Sequence, residues 1–128
     1  MKQVIVLLTI LFSLKGHAQN NADAIIGKWL KIPKEDLIVE VFKSGNEYNG
    51  RIKWAKDTTN KKSQDFIILE KLQYNARNKT WENGKIHDPK SGKTYDAETR
   101  IKADGTLEVH AYKAFKFLGT KKYFERTE

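Results

Sequence analysis

The chain has 128 residues, no cysteine, and 24 Lys and Arg against 16 Asp and Glu. That length fits one domain and excludes a large multidomain enzyme. Without a thiol there is no disulfide, zinc–thiolate or cysteine-nucleophile chemistry. The net charge of +8 falls to +6 when Lys2 and Lys15 of the first 18 residues are set apart.

Those first residues read as an address. Lys2 precedes the apolar run Val4 to Leu14, and Gly16-His17-Ala18 follows with small residues where a signal peptidase reads. The run is far short of the roughly 20 residues a membrane-spanning helix needs. Residues 1–18 are therefore expected to be a signal peptide, cleaved between Ala18 and Gln19. Residues 19–128 would form one exported domain, periplasmic or secreted, without stable membrane insertion. A buried N-terminal core helix is the alternative. No Cys follows the small residues, so a lipid anchor is excluded.

Period-two alternation dominates the rest. Leu37, Val39 and Val41 share one face, although Ile38 and Phe42 are apolar on the other. Tyr48, Gly50, Ile52 and Trp54 form the next face, after a Ser44-Gly45-Asn46 turn. The polar stretch Ala55 to Asp65, with Lys56, Lys61 and Lys62, predicts a flap at one barrel end. Phe66 to Tyr74 is longer and more apolar, and a helix there stays as an alternative. Asn83-Gly84 predicts a reversal after Trp81. Asp88-Pro89-Lys90-Ser91-Gly92 is a preset turn: Asp bonds its own backbone, Pro fixes φ, and Gly accepts positive φ. Tyr95, Ala97, Thr99 and Ile101 alternate next, then Asp104-Gly105 turns the chain into Leu107, Val109 and Ala111.

Runs around Trp29, Val39, Ile52, Ile68, Ile86, Ala97, Val109 and Phe124 make eight strands. Short strands joined mainly by tight turns predict an all-β fold, a single eight-stranded antiparallel up-and-down barrel, whose closure removes edge strands. A barrel of this size is filled by side chains or holds one small ligand.

Gly27-Lys28-Trp29 resembles the G-x-W signature of the lipocalin and calycin barrels. The resemblance implies that Trp29 closes one barrel end and that a basic residue of the last strand, Arg126, packs across it. In order follow Gly50-Arg51-Ile52-Lys53-Trp54, the block Gly84-Lys85-Ile86-His87-Asp88-Pro89-Lys90-Ser91-Gly92-Lys93-Thr94-Tyr95, and Leu118-Gly119 through Arg126. This series resembles a family of small exported bacterial proteins classed as a domain of unknown function with a lipocalin-like barrel. Phe124 stands where that family often has Trp, and Ser44 and Asn49 stand where many relatives have cysteine. The resemblance implies fold and export and brings no activity.

Candidate chemistry is sparse. His87 and Asp88 could act as an acid–base pair or anion site, but the turn explains Asp88, Pro89 and Gly92 as structural residues. His87 and His110 lack a metal-ligand spacing, so no metal and no cofactor are expected. Ser44, Ser63 and Ser91 lack a nucleophile-elbow setting. Glu70 and Glu98 carry no sequence sign of burial. Lysines beside Trp54 and Trp81 could serve nucleic acid, but export argues against that partner.

The expected function is a non-catalytic binding protein with a small apolar or amphipathic ligand, such as a lipid, in one barrel mouth. The inward set is Val39, Val41, Tyr48, Ile52, Trp54, Ile68, Tyr95, Val109 and Tyr112, the last only if a bulge precedes Lys113. Trp29, Phe124 and Arg126 would close the opposite end. The alternative is a solid-cored envelope protein that binds an anionic partner through Lys113, Lys116, Lys121 and Lys122 around Phe115 and Phe117.

Overall fold

The computed structural model describes residues 21–57, 64–115 and 119–128. The expected signal peptide (residues 1–18), Lys61, Lys62 and Ser63 of the long connection, and Lys116 and Phe117 of the expected basic patch lie outside them. Among the described residues eight strands occur, at Gly27–Ile32 (β1), Leu37–Ser44 (β2), Glu47–Ala55 (β3), Ile67–Asn75 (β4), Thr80–His87 (β5), Thr94–Ile101 (β6), Leu107–Tyr112 (β7) and Thr120–Thr127 (β8). Each pairs antiparallel with the next, and β1 pairs with β8, giving one closed barrel. The expected fold is thus the observed one.

Where the sequence alternates strictly, the register follows. Tyr95, Ala97 and Thr99 share a face, and Ala97 and Thr99 sit opposite Ala111 and Val109 on β7. Three departures come from bulges, which add a residue to one strand and invert the alternation beyond it. The first is in β3: Val39 faces Ile52, but Ile38 faces Trp54, so Lys53 is extra. Trp54 therefore shares the outer face of Ile38.

The second bulge explains the helix-like spacing in β4. Leu69 and Leu72, three apart, are both buried, with Lys71 between them at φ 63°. Phe66 to Tyr74 is hence a bulged strand and not a helix. The third involves Asn83-Gly84, which makes no reversal. Asn83 sits at φ 63° inside β5, and the register slips between Trp81 and Gly84. Asn tolerates this backbone region, so the dipeptide serves a bulge as readily as a turn. The β4–β5 turn instead lies between Asn75 and Thr80. A Cβ on Gly84 would stand 2.6 Å from Leu72 Cδ2 and 2.9 Å from the Glu70 carbonyl oxygen, so β4 crosses here only over a glycine.

Up-and-down order places the β1–β2, β3–β4, β5–β6 and β7–β8 connections at one end of the barrel. The β2–β3, β4–β5 and β6–β7 turns lie at the other, together with the chain leading into β1. The apolar core is weighted toward that second end. Val41, Tyr48, Leu72, Trp81 and Leu107 are buried there around Trp29. Each such side chain contributes about 1.5–3 kcal/mol of transfer free energy.

The outer face carries paired charge. Arg51 bonds Glu40 at 2.8 Å and its guanidinium lies 4.6 Å from the Phe42 ring centroid, so the apolar Phe42 is covered although it faces out.

Candidate functional site: a half-filled barrel with one open end

The closed end is a plug of backbone held by side chains. Residues Asp23–Ile25 form one turn of 3-10 helix, and Ile25 is fully buried. Trp29 Nε1 donates to the Ile25 carbonyl at 2.9 Å, and Trp81 Nε1 donates to the Ala22 carbonyl at 3.0 Å. Arg126 donates from Nη1 to Ile26 and from Nη2 to Ala24, each at 2.7 Å. Its guanidinium also covers the Trp29 ring, 4.0 Å from the centroid. Tyr48 donates its hydroxyl to Asp23 at 2.6 Å. Burial, and then the Asp23 carboxylate, push the Tyr48 phenol above its ordinary range. The Tyr48 hydroxyl conversely holds Asp23 below the usual carboxylate value, with Lys43 at 3.4 Å assisting. Sequence reading assigned no role to residues 22–26. Ala22, Ile25 and Ile26 just ahead of Gly27 were the available signal.

The open end is a cavity of about 610 Å³. That lies within the range of small-molecule sites, roughly 300–1,000 Å³. Leu37, Ile52, Ile68, Ile86 and Val109 supply its apolar wall, and Phe124 separates it from a void of about 20 Å³ above Trp29. Small side chains keep it open: Ala55, Ala111 and Thr120 line it where a larger residue would fill it. Tyr95, Lys31 and Lys122 add polar groups near the mouth, and the Asp88–Lys90 loop forms part of the rim.

Of the expected inward set, Ile52, Ile68, Tyr95 and Val109 line this cavity. Val39, Val41 and Tyr48 face inward but lie deeper, buried in the core of the closed half. Trp54 does not belong to the site. The β3 bulge turns it out, and it is 43% exposed. Tyr112 is excluded too, because no bulge intervenes before Lys113. It pairs with Asp96 on the outer face and its ring meets that of His110 at 5.3 Å. Phe124 was expected at the closed end with Trp29 and Arg126, but it is the cavity floor, one layer higher. Leu37 and Ala111 fell on inward faces by alternation but were left out of the set, and Lys31, Ile86, Thr120 and Lys122 were missed. Strand-end residues of β1 and β8 could have been found by continuing the alternation outward from Trp29 and Phe124.

The Asp88 loop behaves as a turn. Asp88 accepts from the Lys90 N–H and the Ser91 hydroxyl, both at 2.9 Å, and Gly92 N–H returns to the Asp88 carbonyl. The Lys90 N–H in particular holds the Asp88 carboxyl below its usual range. His87 is not paired with Asp88. Its ring is bracketed by Thr94 Oγ1 at Nδ1 and Glu70 Oε1 at Nε2, each 2.8 Å away, which braces β4, β5 and β6 together. Among the described residues no group of three His, Asp or Glu side chains is arranged to hold a metal ion.

The lysine patch is divided by the fold. Lys121 faces out, 3.7 Å from Glu108, and Lys113 stands over the Tyr95 ring at 5.7 Å. Lys122 instead lines the cavity.

Residues 27–126 match the family model described as "Uncharacterized protein conserved in bacteria (DUF2147)". Among solved structures the chain is similar to one described as "Protein HP1028 from the human pathogen Helicobacter pylori belongs to the lipocalin family". The TM-score is 0.65 at 17% identity, over 81% of this chain and 83% of that one. At that identity the likeness speaks to the fold. Comparison with curated proteins returned no match. The matched span runs from the glycine of the G-x-W start to the arginine that covers its tryptophan, so the chain belongs to the DUF2147 family of bacterial proteins and carries a lipocalin-like barrel.

Proposed function

We propose that the protein is an exported carrier or sensor that holds a small apolar or amphipathic molecule in the open half of its barrel. The observation that carries this reading is the cavity of about 610 Å³ between Phe124 and the mouth, with its mainly apolar wall. An apolar surface of that size, open to solvent, is the arrangement a hydrophobic ligand would stabilise by covering it. Binding is non-catalytic in this reading: His87 is occupied by Thr94 and Glu70, and Asp88 by its own loop. Low micromolar affinity, about −8 kcal/mol, needs burial of more than roughly 330 Å² of apolar ligand surface, because ordering costs are subtracted. A chain-like ligand along the barrel axis meets that requirement.

The test is titration with the uncharged probe N-phenyl-1-naphthylamine, whose emission rises in apolar surroundings. Saturable binding near one probe per chain, abolished by Ala111→Trp, is expected. Binding without saturation, or unaffected by Ala111→Trp, would overturn the reading.

A further inference from the structure

We infer that the cavity mouth is a carboxylate subsite made by Lys122 with Lys31, and that the molecule it admits is a fatty-acid-type monoanion with its tail against Val109 and Phe124. This rests on the cavity being the ligand site, as proposed above.

The register places both lysines inside. Lys122 is directly opposite the buried Val109 on β7, and Lys31 is directly opposite the buried Phe124 on β8. Cross-strand partners share a face, so both ammonium groups rise from the inner wall. Across the β1–β8 seam Lys31 and Lys122 are diagonal neighbours, roughly 7–8 Å apart at the backbone. That separation lets two lysines converge on one small anion.

Lysine is costly on an apolar inner wall unless hydrated or paired. On the outer face, bases meet acids: Lys121 and Arg100 share Glu108, Lys85 meets Asp96, and Arg51 meets Glu40. Inside, the balance differs. Lys31 has Asp36 at 3.8 Å, beyond hydrogen-bond distance, so its donors remain available. Lys122 is exposed to water at the mouth, has no ion-pair or hydrogen-bond partner among the described residues, and stands above an apolar wall. At the rim, Asp88 and Lys90 bring opposite charges within one loop, as do Lys56 and Asp57, and the Asp88 carboxylate is turned into that loop. One uncompensated cation over an apolar shaft matches one negative charge on an apolar tail. A dianionic head would leave a charge unmatched, because Asp36 already shares Lys31.

The experiment is calorimetric titration of the purified protein with dodecanoate, dodecyl phosphate, dodecanol and dodecyltrimethylammonium, all below micelle formation. Lys122→Met, Lys31→Met and, as a control in the β4–β5 turn at the far end, Lys79→Met are compared. A charge-assisted hydrogen bond to the head is expected to favour dodecanoate over dodecanol by at least about tenfold. Dodecyltrimethylammonium should bind weakest. Lys122→Met should remove most of the preference for dodecanoate over dodecanol, Lys31→Met part of it and Lys79→Met none, and Lys79→Met alone should leave the affinity for every probe unchanged. Equal affinities for the four probes, or a preference that survives both inner substitutions, would overturn the subsite while leaving the cavity reading intact. Tighter binding of dodecyl phosphate would overturn the monoanion assignment. Failure of all four probes to bind would remove the cavity reading itself, and the subsite with it.

Discussion

The Arg126 guanidinium lies 4.0 Å from the Trp29 ring centroid and, from the same position, bonds the carbonyls of Ala24 and Ile26. One side chain thereby ties the last strand to the first and to the plug beneath it. Burial lowers the Arg126 pKa from its ordinary value, but an arginine stays protonated at physiological pH.

Trp29→Ala is expected to destabilise by about 3–5 kcal/mol, since the lost indole leaves a void among side chains already packed. In a double-mutant cycle with Arg126→Ala, the coupling should fall between about 0.5 and 2 kcal/mol. Urea denaturation of the four proteins measures both. Additive losses would show that the stacked geometry contributes no energy of its own.

Gly27 follows from the same contact. It sits at φ 134°, and a Cβ there would stand 2.7 Å from Arg126 Nη1. Gly27→Ala should therefore cost about 1–3 kcal/mol through backbone strain, plus displacement of Arg126. In an Arg126→Ala background the displacement part should disappear and the strain remain. An equal cost in both backgrounds would mean Arg126 moves aside freely.

Stability should depend on pH through carboxylates held below their ordinary values. Tyr48 does this to Asp23, Arg51 to Glu40, and the backbone N–H groups of Lys90 and Thr106 to Asp88 and Asp104. A depressed folded-state pKa adds stability that is complete above the unfolded value and lost as pH falls through the folded one. The thermal midpoint should be flat down to about pH 5 and fall below about pH 4. Asp23→Asn should shallow that fall. A decline beginning above about pH 6 would contradict a carboxylate origin.

Trp54 separates the alternation from the structure. Strict period two puts it inside the barrel; the Lys53 bulge puts it outside, opposite Ile38. Trp54→Ala should leave affinity for the naphthylamine probe within about twofold, because the lost ring borders no part of the cavity. A tenfold loss would restore Trp54 to the inner wall.

Strand number, order and closure were legible because each run alternates and each hairpin carries Gly, Asn or Asp. Half of the site was not, for two physical reasons. Bulges at Lys53, Lys71 and Asn83 shift inner and outer faces by one residue, and only Asn83-Gly84 advertises itself in sequence. It does so in the same letters as a turn. The lysines at the mouth were missed because inward alternation was equated with apolar residues. At the open end, an inner wall meets water and tolerates charge. The Trp29–Arg126 contact was foreseen from the G-x-W resemblance, whereas the Ala22–Ile26 plug that it anchors was not.

Export of residues 19–128, proposed from the apolar run and Gly16-His17-Ala18, is checked by intact mass of the protein from the native envelope. Mass beginning at Gln19 is the expected result, and the full chain retained in the cytoplasm would contradict it.

The claim that the open half of the barrel is a ligand site is tested most directly by amide and methyl NMR during dodecanoate titration. Saturable shifts confined to the cavity wall (Ile52, Ile68, Ile86, Val109, Ala111 and Phe124, with Lys31 and Lys122 at the mouth), with Leu72, Trp81 and Leu107 of the closed half unmoved, are the expected result. Shifts absent from the cavity, or confined to the outer face around Phe115 and Lys121, would contradict it.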